Sequence, residues 1–169
     1  MVYRIFLIAA ATILFSSCNV SLKGITIAPT ISTFYVDVFQ NRAFNAPPDI
    51  GIQFTESFKE LVLNSTRLNY DEFNPGIEIS GSVRTFNVTS VAPEQQEDGG
   101  VGSALNRLSI SVEVEYFNNQ NEEDTWKQNF SFFQDFESTE SLENVQDDLI
   151  VTIFDQINQD IFNKAFTNW

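Results

Sequence analysis

Apolar and polar residues alternate most regularly between Arg107 and Tyr116. The apolar positions of this segment are Leu108, Ile110, Val112, Val114 and Tyr116, and charged or hydroxyl residues separate them. A period of two places successive side chains on opposite faces, so the segment predicts a strand with one buried and one solvated face. Such a strand is typical of an antiparallel sheet.

Three further segments are predicted strands. They are the β-branched and aromatic run Ile31–Gln40, a segment that begins at Ile77, and a segment that begins at Trp126. In the second of these, apolar residues occupy odd positions as far as Val83 and even positions from Phe86. Since a one-residue slip turns side chains to the other face, this change predicts a bulge or bend between Gly81 and Thr85. The polar segments 93–102 and 118–124 are predicted connections.

Two segments have apolar residues at the spacing of three and four that indicates an amphipathic helix. The first starts near Asp49, after two prolines, and its pattern predicts an end between Asn64 and Thr66. The second starts after Ser141 and runs toward Trp169. The resulting order, β-α-β-β-β-α, predicts an α+β fold in which two helices pack on one face of a four-stranded mixed sheet.

The first residues of the chain have the layout of a bacterial secretory signal. Arg4 precedes an uncharged apolar run, Ile5 to Phe15, which is shorter than the roughly 20 residues of a membrane-spanning helix. The residues before Cys18 resemble the lipobox of bacterial lipoproteins, with Phe15 at the usual Leu position and Ser17 at the usual Gly or Ala position. The alternative is a buried first helix or strand with an incidental thiol.

The lipobox resemblance implies cleavage before Cys18 and acylation of its thiol and new amine. Two or more acyl chains anchor a protein stably to a membrane, whereas one chain is marginal. We therefore expect residues 1–17 to be a lipoprotein signal peptide, 18–29 to be a lipidated N-terminus and tether, and 30–169 to be a single α+β domain.

Composition limits the chemistry that this chain can perform. It has 23 acidic and 9 basic residues, a formal net charge of −14, no histidine and one cysteine. The acidic surface lacks the basic footprint of nucleic-acid binding, so we expect no nucleic-acid partner. The commonest nucleophile–base pairs and zinc sites need His or Cys. We therefore expect no enzyme, no catalytic residue, no metal and no cofactor, although paired carboxylates remain chemically possible.

Four segments carry a resemblance to a known family. They are FQNRA (Phe39–Ala43), QFTESF (Gln53–Phe58), ALNRLSISVEV (Ala104–Val114) and DIFNKAFTNW (Asp160–Trp169). In this order behind a lipobox, they resemble LptE, the lipopolysaccharide-assembly lipoprotein family, in the form found in Bacteroidetes. The resemblance covers almost the whole mature chain and implies two helices on a four-stranded sheet.

The same resemblance implies a function without bond chemistry. It implies an outer-membrane lipoprotein that faces the periplasm, supports and plugs the LptD-type β-barrel, and takes part in lipopolysaccharide transport and assembly. The implied partners are an LptD-type barrel, lipopolysaccharide, and the membrane through acylated Cys18. A second interpretation is an outer-membrane lipoprotein that binds a glycan or other ligand directly, with Trp126 and exposed Phe residues as stacking platforms.

Two groups of residues are candidate contacts. Parity places Arg84, Arg107 and Lys127 on the solvated sheet face, where they are hypothesised to form a cationic strip for lipopolysaccharide or the barrel wall. The alternative is cross-strand pairing, worth about 0.2–1 kcal/mol per pair, with Glu78, Glu113 and Glu115. The second group of candidate contacts is Phe162, Phe166 and Trp169. These residues are either a docking patch for the barrel or a cap on the sheet core.

Overall fold

The computed structural model describes residues 27–92 and 104–167. The predicted signal peptide, Cys18, most of the predicted tether, the connection 93–102 and Trp169 lie outside the described residues. Two α-helices and six strands follow one another within the described residues, with a short 3-10 helix at Glu122–Asp124 between the last two strands. They are β1 (Thr33–Val36), β2 (Gln40–Asn41), α1 (Ile50–Ser65), β3 (Asn69–Tyr70), β4 (Ile77–Val91), β5 (Leu105–Asn118), β6 (Trp126–Glu137) and α2 (Leu142–Phe166).

The strands form one mixed sheet in the order β3-β1-β4-β5-β6, with β2 also beside β4. β1 is parallel to β3 and β4, and β2 is parallel to β4, whereas β4, β5 and β6 form an antiparallel meander. The α+β class and the mixed sheet with two helices are confirmed, but the predicted number of four strands is wrong. The additional strands, β2 and β3, have two residues each, which is too short to show any alternation.

The predicted change of phase in β4 is confirmed. Val83 pairs with Val112 and Thr85 pairs with Ser111, so Arg84 is an extra residue without a partner in β5. This β-bulge keeps Val83 and Phe86 on the same buried face although their numbers differ in parity. We call the opposite face of β4, β5 and β6 the outer face; on β5 it carries Arg107, Ser109, Ser111, Glu113, Glu115 and Phe117.

Both helices have the predicted positions, and their apolar sides enclose the core against the sheet. Phe54 of α1 is fully buried, with its ring 4.8 Å from Phe39 and 5.0 Å from Phe154 of α2. Burial of a side chain of this size contributes about 1.5–3 kcal/mol. A polar contact also joins the helices, because buried Asn158 donates from Nδ2 to Ser57 Oγ at 3.0 Å. Neither described helix combines the length and apolar character needed to cross a membrane.

The start of α1 lies directly on β2. Thr55 Oγ1 donates to the Gly51 carbonyl at 2.7 Å and accepts from the Phe39 N–H at 2.9 Å. A Cβ atom on Gly51 would lie 2.0 Å from the Phe39 carbonyl oxygen, so only glycine permits this approach. Gly81 is similarly confined, since its Cβ would lie 2.1 Å from the Glu113 carbonyl oxygen.

Candidate functional site

Lys127 is part of a cluster of charges on the outer face. Its ammonium group forms ion pairs with Glu115, which is opposite it on β5, and with Glu113 at 3.2 Å. Hydrogen bonds to Glu115 and then Glu113 raise the pKa of Lys127 above its ordinary value. Cross-strand pairing was the alternative to a cationic strip, and two of its three carboxylates, Glu113 and Glu115, are therefore partners of Lys127.

Arg107 also has a carboxylate partner, although the sequence did not identify it. Arg107 donates from Nε and Nη2 to the two carboxylate oxygens of Asp135, at 2.7 and 2.9 Å. The guanidinium carbon lies 3.8 Å from the ring centroid of Phe133. A planar guanidinium suits both contacts at once, because its edge matches the carboxylate and its face stacks on the ring.

Arg84 differs from the other two basic residues of the predicted strip. It lies at the β4 bulge, is exposed, and has no ion pair with any described residue. The bulge separates its position from the regular ladder, which explains why no cross-strand carboxylate faces it. The three basic residues therefore do not form a uniform cationic strip. Carboxylates balance the charges of Arg107 and Lys127, whereas no described carboxylate pairs with Arg84.

The Arg107–Asp135 pair predicts an acid-dependent part of the stability. Hydrogen bonds from Arg107 hold the pKa of Asp135 below its ordinary value. A carboxyl with a lowered folded-state pKa contributes stability above its unfolded pKa of about 3.9 and loses it as the pH falls through the folded-state pKa. We expect Asp135→Asn to lower the free energy of unfolding by at most about 1 kcal/mol at pH 7, since the pair is partly solvated.

Urea denaturation at pH 7 and at pH 3 measures this effect. The difference between Asp135→Asn and the parent chain should shrink at the lower pH. Glu137→Gln is the matched control, because Glu137 is an exposed carboxylate of β6 without an ion pair among the described residues. An equal loss at both pH values in Asp135→Asn would contradict the assignment.

Two of the three C-terminal aromatic residues, Phe162 and Phe166, are among the described residues, and both lie in the core. Phe162 and Phe166 are 7% and 1% exposed, and their ring centroids are 5.2 Å apart. Phe166 also packs edge-on against Tyr116 of β5 at 6.4 Å. The core-capping alternative predicts this burial for both residues. The docking alternative stays a prediction, and Trp169 lies outside the described residues.

A cavity of about 310 Å³ opens at the end of the sheet where β4 begins and β5 ends. Its lining brings together Ile27, Tyr116 of β5, Trp126 of β6, and Lys164 near the end of α2. Tyr116 stacks on Trp126 at 5.3 Å, and Lys164 lies 5.1 Å above the Trp126 ring. Burial, with a smaller effect of Asp124, raises the pKa of Tyr116 to about 12, so its hydroxyl stays protonated at neutral pH.

A second depression, of about 530 Å³, lies on the outer face at the same end of the sheet. The exposed ring of Phe117 lines it together with Glu78, Ser80, Glu115 and Lys127. We call it the Phe117 cleft. This cleft was not predicted from the sequence, although the alternation of β5 continues through Tyr116 and places Phe117 on the outer face. Among described residues, no group of three or more His, Cys, Asp or Glu is arranged to hold a metal ion.

A comparison of this chain with models of protein families identifies the family to which it belongs. A model named LptE, described as lipopolysaccharide-assembly, matches residues 31–165. This chain belongs to the LptE family. The match extends from the residues before β1 to the last turn of α2, and membership places this LptE chain among proteins of lipopolysaccharide assembly. A comparison with functionally curated proteins finds no match.

Several solved structures match this chain. The hypothetical protein CT253 from Chlamydia trachomatis superposes with a TM-score of 0.51 at 9% identity, over 80% of this chain and 98% of that chain. Lipoprotein B from Nitrosomonas europaea gives 0.49 at 12% identity, over 82% and 87%. The PelC dodecamer from Paraburkholderia phytofirmans gives 0.46 at 12% identity, over 82% and 90%. At 9% identity, the similarity to CT253 shows a shared fold and not a shared function.

Proposed function

We propose that this LptE-family protein is a lipoprotein of the outer membrane that faces the periplasm. In this proposal it supports and plugs an LptD-type β-barrel and takes part in delivering lipopolysaccharide to the outer membrane. The observation that carries the proposal is the LptE match over residues 31–165, which spans both helices and the whole sheet. No bond is made or broken in this role.

A lipid anchor at Cys18 would limit how far one end of the domain can lie from the membrane. Residues 18–27 can span at most about 36 Å when fully extended. Ile27 lines the cavity at the end of the sheet where β4 begins and β5 ends. Acylation of Cys18 would therefore hold this end, which also contains the Phe117 cleft, within about 36 Å of the periplasmic surface of the membrane.

The charges support unequal roles for the three basic residues of the predicted strip. Arg107 and Lys127 already contact carboxylates, and their net attraction for an acidic group of lipopolysaccharide is reduced accordingly. Arg84 is exposed and has no ion pair with a described residue. We therefore propose Arg84 as the principal cationic contact for lipopolysaccharide or the barrel wall, with Arg107 and Lys127 chiefly stabilising the sheet.

Affinity purification from membranes of the native host tests the proposed function. The full chain is expressed with a C-terminal tag, solubilised in mild detergent and purified. We expect a large outer-membrane β-barrel of the LptD type to co-purify. Recovery of only secretion-pore or polysaccharide-uptake proteins would contradict the proposal.

A further inference from the structure

We propose that the Phe117 cleft binds an uncharged, hydroxyl-rich sugar ring. This inference rests on the proposed function, because it assigns the cleft to the glycan part of lipopolysaccharide. The cleft volume of about 530 Å³ lies within the roughly 300–1,000 Å³ typical of small-molecule sites. Sugar rings combine an apolar face of C–H groups with a rim of hydroxyls, and the cleft presents both complementary surfaces.

The apolar surface is the ring of Phe117. Phe117 is 41% exposed, and among the described residues no aromatic ring or cationic group stacks on it. Phe133, on the same face, has a similar exposure of 44%, but Arg107 lies over its ring and Phe132 packs beside it at 5.8 Å. Phe117 therefore offers a free ring face, whereas the face of Phe133 is already occupied.

The polar rim has one carboxylate on the neighbouring strand β4 and one on β5, the strand of Phe117 itself. Glu78 is the register partner of Phe117 on β4, and Glu115 precedes Phe117 by two residues, so all three side chains lie on the outer face. Directly opposed side chains have Cβ atoms about 4.5–5.5 Å apart, which places the Glu78 carboxylate within reach of a ligand stacked on Phe117. The hydroxyls of Ser80 and Thr125 complete the rim.

The charge of the rim selects against phosphate. The Glu78 carboxylate forms no ion pair with the described residues, so its oxygens can accept from two sugar hydroxyls. Lys127, the cation at the cleft, already contacts Glu113 and Glu115. An anionic group would meet uncompensated acidic charge, whereas neutral hydroxyl donors meet acceptors. The complementarity therefore favours a neutral sugar over the phosphorylated lipid part of lipopolysaccharide.

Titration of the full-length, detergent-solubilised protein tests this site. The probe is the oligosaccharide released from lipopolysaccharide by mild acid and then dephosphorylated, and binding is followed by saturation-transfer NMR. We expect the parent chain to bind this probe and Phe117→Ala to bind it up to about tenfold more weakly, as loss of one aromatic stacking contact implies. Phe133→Ala is the matched control and should bind like the parent chain.

A second variant separates binding from folding. Glu78→Gln keeps the size of the side chain and removes the anionic acceptor, so it should weaken binding while the thermal unfolding midpoint stays unchanged. Absence of binding to the parent chain, equal binding by Phe117→Ala, or an equal loss in Phe133→Ala would overturn the inference. Binding of lipid A by a parent chain that does not bind the oligosaccharide would also overturn it.

The outcome is distinguishable from failure of the proposed function. Recovery of the barrel with a chain that does not bind the oligosaccharide overturns only the sugar site. Oligosaccharide binding by a chain that recovers no barrel overturns the proposed function and leaves a glycan-binding lipoprotein.

Discussion

Replacement of Gly51 by alanine is expected to lower the free energy of unfolding by about 3 kcal/mol, at the upper end of the usual range for overpacking. The new Cβ would lie 2.0 Å from the carbonyl oxygen and 3.0 Å from the carbonyl carbon of Phe39. Both atoms belong to the backbone, so no side chain can move aside. Helix α1 must instead separate from the segment that leads into β2, which breaks the contact of Thr55 with Phe39.

The two possible effects of Gly51→Ala on the free energy of unfolding have opposite signs, so the measurement distinguishes them clearly. Helix propensity alone favours alanine over glycine by about 1 kcal/mol within a helix, so a purely local view predicts stabilisation. Gly76→Ala is the matched control, because its Cβ would meet Ile31 Cγ2 and the Thr33 carbonyl oxygen at 3.2 Å, which small shifts relieve. Urea denaturation of both variants measures the difference. A Gly51→Ala chain as stable as Gly76→Ala would contradict the described approach of α1 to β2.

Phe166→Ala is the second substitution with a large expected effect. Truncation of a fully buried Phe costs about 3–5 kcal/mol, since it removes transfer free energy and leaves a cavity. Phe166 is 1% exposed and contacts both Phe162 and Tyr116, so the last turn of α2 should detach from the end of the sheet.

A nearby residue on the same turn provides the control. Lys164 is exposed and lies over Trp126, and its replacement by alanine should cost about 0.5–1 kcal/mol, as for other exposed cation–π pairs. Thermal unfolding separates the alternatives for the C-terminal aromatics. If Phe166→Ala unfolded at the parent temperature and only lost its barrel partner, the residue would act in docking rather than in the core.

The elements that could be predicted from the sequence are those long enough to show a period of apolar residues. The alternation of β5, the phase change that marks the β4 bulge, and the limits of α1 are all local signals, and each agrees with the structure. The two-residue strands β2 and β3 were missed because they exist only through pairing with β4 and β1. Their residues carry no period of their own.

The candidate contacts were harder to predict because they depend on register between strands. Parity places Asp135 and Arg107 on the same face, but only the β5–β6 register makes them direct neighbours. The pairing alternative named Glu113 and Glu115, which do contact Lys127. It did not name Asp135, the carboxylate that pairs with Arg107. Phe162 and Phe166 lie outside the main apolar stripe of α2. Their burial depends on a distant segment, because Phe166 packs against Tyr116 of β5 and Phe162 packs against Phe166.

The stoichiometry of the tagged complex tests the central claim most directly. A protein that plugs a barrel occupies one lumen, so purification from native membranes should recover one LptD-type barrel for each tagged chain. Quantitative mass spectrometry of the detergent eluate measures this ratio. A ratio near one supports the proposed role in lipopolysaccharide assembly, and a tagged chain that elutes without any large barrel contradicts it.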